Sequence, residues 1–315
     1  MTQYIVRRVI LMIPVVIGVS VIVFILSRVL PGDVFLAQAA DSGITPEVRQ
    51  QMREEAGLNR PLVVQYVDWA AHAAILDFGD SLWNRRSVSG EIWRAIPVTI
   101  QLTSMATAIA LMIAIPLGVV SAAWQGTWVD YLARLFGVLG LSVPNFVIAS
   151  LALTYLAIWF SWSPPAGSSS LIDEPWRNIQ QFVLPSAILG ASMSAAIFRM
   201  TRSTVLGSLR EDYVRTAMAK GLRQRLVLYR HVLRNALLPV LTLTGAQVGY
   251  LLGGAVIIES IFSLAGLGQL TLDAIRNRDY FIIQAVTLLA AVVFLVLNLL
   301  VDLSYAWLDP RVRLA

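Results

Sequence analysis

Between Arg94 and Asp130 the chain runs 35 residues without a charged side chain. A water-exposed helix face does not tolerate that, and a hydrocarbon core demands it. Crossing about 30 Å of lipid takes roughly 20 consecutive apolar residues. Backbone N–H and C=O groups in lipid must be satisfied internally, so such a run is read as a helix. This one contributes a span over about Val98–Ser121. Five further runs meet the same requirement: Val9–Ser27, Leu135–Phe160, the stretch between Arg177 and Arg199, Asn235–Ile258 and Tyr280–Val301. Composition agrees, with 57% of the 315 residues hydrophobic, 14% charged and a mean hydropathy of +0.71. Soluble domains carry about 25% charged residues. The pattern predicts an all-α membrane protein with six transmembrane helices. Pro14, Pro116, Pro144 and Pro185 fall in or near the ends of spans, as membrane helices allow, and mark expected kinks.

Short loops rich in Lys and Arg stay on the cytoplasmic side. The N-terminal end carries Arg7 and Arg8, and the tail carries Arg311 and Arg313. The connection Arg199–Arg234 holds nine Lys or Arg residues against only Glu211 and Asp212. With six spans all three lie on one side, so both termini and this loop are expected in the cytoplasm. The segment Arg28–Arg94, with seven basic and nine acidic residues, falls outside. The net charge of +5 and the pI near 9.8 arise mostly in that one cytoplasmic loop. No nucleic-acid-binding motif accompanies it, so no nucleic-acid partner is expected. Arg7-Arg8, an apolar run and Ala37-Gln38-Ala39 resemble a cleaved leader. The uncharged run is 19 residues, longer than the usual apolar region of about 7–15, and Arg28 and Asp33 intervene. A retained span is expected.

The chain divides into 1–30, with the first span; 31–94, a mostly helical outer loop; and 95–315, five spans with a cytoplasmic loop at 199–234. In the outer loop Thr45 is placed to N-cap a helix Pro46–Ala56 that Gly57 ends. Pro61 starts another, with Leu62, Tyr66, Trp69 and Ala73 on one face. Asp77-Phe78-Gly79-Asp80-Ser81 reads as a turn. Such a loop is either a passive connector or a docking surface or lid, since long ordered loops are often functional. Ser161–Ser170, with Pro164-Pro165, is a turn-rich outer loop.

The basic loop has more structure than charge bias explains. Glu211 to Lys220 are good helix formers. Glu211 and Asp212 stand at the positive N-terminal end of the helix dipole and Lys220 at its negative end. Gly221 offers a left-handed C-cap, and Leu222–Leu238 reads as a second helix leading to Pro239. Positive-inside bias accounts for the arginines and not for a capped helix, so this segment is read as an interaction helix.

Several chemistries are excluded. There is no cysteine. The single lysine, Lys220, precedes Gly221, and no G-x-x-x-x-G-K-[ST] phosphate loop exists. The two histidines, His72 and His231, form no H-E-x-x-H. Gly266-Leu267-Gly268 lacks the rest of a dinucleotide fingerprint and reads as a turn, and no G-x-S-x-G elbow occurs. No catalytic residues are grouped in what remains, so a non-catalytic chain is expected, with no metal or cofactor of its own. Ion-driven carriers usually place ionisable groups within their spans, whereas here Glu259 and Asp302 flank theirs. The polar candidates within spans are Gln101, Asn145, Gln247, Gln284 and Asn298. Interhelical hydrogen bonding, worth about 0.6 kcal/mol on average, explains each one alone. As a set, Gln101, Asn145, Gln247 and Asn298 suit the lining of an uncharged pathway. A stand-alone channel or secondary carrier is the alternative class, and a membrane-bound enzyme comes third.

These residues together resemble the permeases of the dipeptide, oligopeptide and nickel class of binding-protein-dependent ABC importers, over nearly the whole length. The resemblance is carried by Arg7-Arg8, Leu30-Pro31-Gly32-Asp33, Gly57-Leu58 with Arg60-Pro61, Asp77-Phe78-Gly79 and Leu184-Pro185. It continues through Glu211-Asp212-Tyr213-Val214-Arg215-Thr216-Ala217, Lys220-Gly221, His231 to Pro239, and Gly245, Gln247 and Gly249. Glu259-Ser260-Ile261-Phe262, Gly266-Leu267-Gly268, Arg278-Asp279-Tyr280, Asn298 to Asp302 and Asp309-Pro310-Arg311 complete it. Pro-Gly-Asp after the first span is similar to the first of that family's two related permeases. The resemblance implies a type I importer permease in a bacterial inner membrane. Its implied partners are a second permease as heterodimer partner, two cytoplasmic ATPase subunits that hold ATP and Mg, and an external solute-binding protein. It implies alternating access, and an ATPase-coupling helix carrying Glu211, Asp212, Tyr213, Arg215, Ala217, Ala219, Lys220 and Gly221, the family's EAA loop. The general motif opens Glu-Ala-Ala. Here Arg215, Thr216 and Ala217 stand instead, so no role is assigned to the missing carboxylate. The Gly-to-Leu-Pro spacing is also longer than in the general motif. Val34 stands where the family more often has Pro.

Overall fold

A computed structural model describes residues 2–29, 45–167, 169–252 and 255–308. Leu30–Asp33, Ala37–Ala39, Asp309–Arg311 and Arg313 lie outside these residues. The described residues form helices α1 (Thr2–Val29), α2 (Pro46–Glu55), α3 (Leu62–Ala74), α4 (Val88–Ala123), α5 (Trp128–Ser142), α6 (Asn145–Phe160), α7 (Pro175–Leu209) and α8 (Asp212–Ala219). They are followed by α9 (Gln224–Leu252), α10 (Val256–Ile261), α11 (Leu267–Arg276) and α12 (Tyr280–Leu308). Of these, α1, α4, α7, α9 and α12 are long and apolar enough to cross a bilayer, and α5 with α6 makes a sixth span if the bent pair counts as one.

Four expectations are corrected. The third run is two helices meeting at 90°. Pro144 has no N–H to donate and forces Val143 into an extended conformation (φ −101°, ψ 120°). The basic loop is shorter than 199–234, because α7 continues through the charged segment to Leu209 and α9 starts at Gln224. Hydrogen bonding keeps a helix going past the edge of its apolar run. The expected separate helix Leu222–Leu238 is the first part of α9, which contains Pro239 and a π turn at Leu228–Val232. The fifth span ends at Leu252, and Val256–Ile261 is the separate helix α10.

The chain forms two compact units. One comprises residues 1–100 and 252–295. Its core gathers Phe24, Trp69, Ala73, Phe78, Val88, Ile92, Leu267, Ala274 and Val286. Phe24 of α1 meets Tyr66 edge-on at 5.5 Å and Trp69 at 6.1 Å, and Ser20 Oγ is 2.9 Å from the Tyr66 hydroxyl. Ser27 accepts a hydrogen bond from the Gln284 amide. The expected apolar face of α3 holds at Trp69 and Ala73, but Leu62 is exposed and Gln65 takes the inner place. Gln65 Nε2 donates to the carbonyls of Leu58 and Arg60, which satisfies both N–H groups of the buried amide. Thr45 is extended, as an N-cap requires, but its side chain makes no capping bond. Gly57 follows α2 at φ +67°. The turn after α3 is real: Asp77 Oδ1 accepts from Gly79 N at 3.1 Å, and Phe78 is buried in the core. Ser81 Oγ donates to Asp279 Oδ2 at 2.5 Å, tying this turn to the residue that opens α12.

The other unit comprises residues 101–251 and 296–315. Here α7 is the central helix, and small residues let its neighbours approach, as membrane packing favours. A Cβ on Gly118 of α4 would lie 2.7 Å from Thr201, and one on Gly137 of α5 would lie 2.8 Å from Phe198. A second apolar cluster gathers Val119, Ala122, Val205, Val214, Ala217, Val227, Val232 and Ala236.

Candidate functional site

Two residues, Arg210 and Glu211, separate α7 from α8. Glu211 is extended (φ −71°, ψ 149°) and occupies the N-cap place, without a side-chain capping bond. At the other end Gly221 N donates to Met218 O at 2.9 Å and Leu222 N to Ala217 O at 3.4 Å, with Gly221 at φ +76°. That is the Schellman arrangement, and an L side chain at Gly221 resists it. The short helix is fixed at one end by two backbone bonds and at the other by the corner with α7.

Val214 and Ala217 lie three positions apart and so on one face. Both are buried, Ala217 at 7% exposure, in the cluster formed with Val119 and Ala122 of α4, Val205 of α7, and Val227, Val232 and Ala236 of α9. Ala217, expected on the ATPase-coupling helix, is packed inside its own chain and is not on the outward face. The outward face carries Tyr213, Arg215, Thr216, Met218, Ala219 and Lys220. Arg210, Arg223, Arg225 and Arg230 are exposed nearby, and the acidic exceptions are Glu211 and Asp212. Arg215 reaches Asp212 at 3.3 Å, but both are well exposed, so the pair adds little to stability. The result is a helix anchored on one side and basic on the other.

A buried ionic cluster lies beside this anchor, and sequence reasoning missed it. Asp130, in the first turn of α5, is 1% exposed. Its Oδ1 accepts from Arg202 Nε at 2.8 Å and Ser121 Oγ at 2.6 Å, and its Oδ2 from Arg202 Nη2 at 3.0 Å and Gly126 N at 3.0 Å. Arg202 Nε also lies 2.9 Å from Ser121 Oγ, and Arg134 Nε is 3.5 Å from Asp130. The signal available in the sequence was an acid three residues after Thr127, the N-cap place of a helix, and an arginine in the extension of the fourth apolar run.

The expected pathway residues are placed differently from one another. The Gln101 side chain is taken up by Asn178 of α7, whose amide donates back to Gln101 Oε1 at 3.2 Å and to Ser169 O at 2.7 Å. Asn145 opens α6, Gln247 lies on α9 and Asn298 on α12, each half-buried. Among the described residues Gln247 Oε1 is buried without a hydrogen-bond partner. Among the described residues no group of three His, Asp or Glu side chains is placed to hold a metal ion.

Long apolar helices here carry a short helix that is anchored on one face and charged on the other. Residues 114–314 match the family model described as binding-protein-dependent transport system inner membrane component, and residues 1–103 match its N-terminal companion. The dipeptide transport system permease protein DppB of Alkalihalophilus pseudofirmus is 38% identical, covering 99% of this chain and 100% of its own. The oligopeptide transport system permease protein AppB of Bacillus subtilis is also 38% identical over the same shares. The glutathione transport system permease protein GsiC of Salmonella typhimurium is 37% identical, with 99% of each chain covered. An inward-facing structure of the MetNI methionine ABC transporter superposes with a TM-score of 0.54 at 15% identity, covering 69% of this chain and 96% of that one, and shows the shared fold. The chain belongs to the family of inner-membrane components of binding-protein-dependent transport systems: it is a multi-pass permease subunit of an ABC importer. Membership implies separate ATPase subunits and a solute-binding protein as partners.

Proposed function

We propose that this chain forms half of a translocation pathway for peptides or similar small solutes, a second homologous permease forming the other half. Two cytoplasmic ATPase subunits, holding ATP and Mg, drive alternating access, and an external binding protein delivers the solute. The solute class follows the relatives, which belong to a dipeptide, an oligopeptide and a glutathione transport system. Both termini and α8 lie in the cytoplasm, in keeping with the basic residues around α8. Gln101, Asn145, Gln247 and Asn298 contribute polar positions along the pathway.

The single observation that carries this reading is the two-sidedness of α8. Val214 and Ala217 hold it to α4, α7 and α9, while Tyr213, Arg215, Ala219 and Lys220 stay outside. Glu211, Asp212 and Gly221 set its ends. Such a helix transmits force from whatever docks on its outer face to the spans beneath it. A stand-alone channel or carrier has no use for that arrangement.

The test is Ala219→Trp, which adds bulk on the exposed face and leaves the core untouched. Overpacking of an interface costs about 1–3 kcal/mol, so ATPase subunits should co-purify roughly tenfold less well while the chain reaches the membrane normally. Ile172→Trp is the control, because Ile172 is 90% exposed in the loop before α7. Ser169 is a poor control, since its Oγ lies 2.5 Å from Gln181 Oε1. ATPase association and transport at wild-type levels in Ala219→Trp would refute the docking role of α8.

A further inference from the structure

Asp130 and Arg202 are 72 positions apart, and the pair they form is bonded to the turns that seat α8. Ser121, which donates to Asp130, lies on α4 between Val119 and Ala122, two of the residues under α8. Arg202 lies on α7 one turn ahead of Val205, a third. Asp130 adds α5, and Gly126 N adds the turn between α4 and α5. Apolar contacts allow helices to slide and rotate. A two-pronged guanidinium–carboxylate pair fixes orientation as well as distance. Separating it takes two charged hydrogen bonds from the 1%-exposed Asp130 carboxylate and its carboxylate from Arg202, so it behaves as a stop rather than a spring.

We propose that the Asp130–Arg202 pair locks the ends of α4, α5 and α7 into one body with α8. Movement of α8 then reaches the spans, instead of being absorbed at the Arg210–Glu211 corner. Asp130 and Arg202 are positioning residues: they touch neither ATP nor solute, and act through the seat of the coupling helix. The proposal rests on the reading of α8 as the ATPase contact.

The experiment uses the complete transporter in liposomes and the double variant Asp130→Asn/Arg202→Gln, which removes both charges together and strands neither. ATPase subunits should co-purify as with wild type, and ATP hydrolysis should stay within about twofold. Solute transported per ATP should fall about tenfold or more, the scale set by coupling between contacting residues. Arg202→Lys keeps the charge without the fork and should fall between the two. The chain has no cysteine, so spin labels at Trp124→Cys and Arg210→Cys, both exposed, report the lock directly. Their separation should be the same with and without ATP in the otherwise wild-type protein, and should become ATP-dependent in the double variant. Full transport per ATP in the double variant, or an ATP-dependent separation without it, overturns the proposal. Should the double variant fail to assemble, the wild-type separation alone decides. Failure of the α8 reading looks different: ATPase association then ignores Ala219→Trp.

Discussion

The carboxylate of Glu259 occupies the space that a side chain at Gly266 would need, for a Cβ built there lies 2.5 Å from it. Glu259 is fully buried. It accepts a 2.8 Å bond from Thr99 Oγ1 and a 3.0 Å bond from Gln269 N. Thr99 Oγ1 in turn accepts from Leu267 N at 2.8 Å. Gly266 is the N-cap residue of α11 and has no side chain to cap it, so Glu259 and Thr99 satisfy the first N–H groups from outside. The order Glu259, Gly266, Gly268 is one structural device.

Gly266→Ala should therefore destabilise the protein. The added methyl drives the carboxylate away from its donors, and hydrogen bonds to charged groups are worth about 1.5–3 kcal/mol. Thr99→Val, which deletes both bonds of the hydroxyl, should cost a similar amount. Gly207→Ala is the control: a Cβ there meets nothing within 4 Å, and Ala in a helix interior gains up to about 1 kcal/mol over Gly. Thermal midpoints of the purified chain in detergent make the comparison. Equal midpoints for Gly266→Ala and Gly207→Ala would contradict the capping role.

The same carboxyl gives a pH prediction. Burial raises the Glu259 pKa, against the opposing pull of its bonds from Gln269 N, Thr99 and Gly268 N. With the folded value above the unfolded one, near 4.3, the folded state holds the proton more tightly. Its contribution to stability is full below the unfolded pKa and lost as pH rises through the folded value. The midpoint of wild type relative to Glu259→Gln should therefore fall as pH increases from about 4 to 8. A relative midpoint that rises over that range would show that the hydrogen bonds outweigh burial.

Catalysis should be absent from the isolated chain. No phosphate loop occurs in the sequence, and backbone N–H groups of such a loop are what hold nucleotide phosphates. The purified chain should neither retain labelled ATP nor hydrolyse it, and hydrolysis should appear on adding ATPase subunits. Hydrolysis by the chain alone that survives removal of contaminants would contradict this.

Much of the fold was legible because membrane spans are local. Each long uncharged run carries its own instruction to be a helix. The α8 segment was legible for the same reason: Glu211, Asp212, Lys220 and Gly221 act through the dipole and the backbone of one short helix. Which face turns inward was not. Val214, Ala217, Met218 and Ala219 are all small or apolar, and eight residues give too few turns for periodicity to choose. The bend at Pro144 was half visible, since proline marks a break without setting its 90° angle. The long-range pairs were invisible. Nothing near Asp130 names Arg202, nothing near Ser81 names Asp279, and Glu259 read only as a charge flanking its span. In these the partner is chosen by the fold, and a single sequence does not print it.

The central claim is that the outer face of α8 touches an ATPase subunit and its inner face does not. A cysteine-free chain allows this to be measured with one substitution at a time. Ala219→Cys, in the assembled transporter and with a short thiol-to-amine cross-linker, should give a covalent product with the ATPase subunit, at a yield that changes when ATP is bound. Ile172→Cys in the loop before α7 should give none. A product from Ile172→Cys and none from Ala219→Cys would contradict both the side assigned to α8 and its role in coupling.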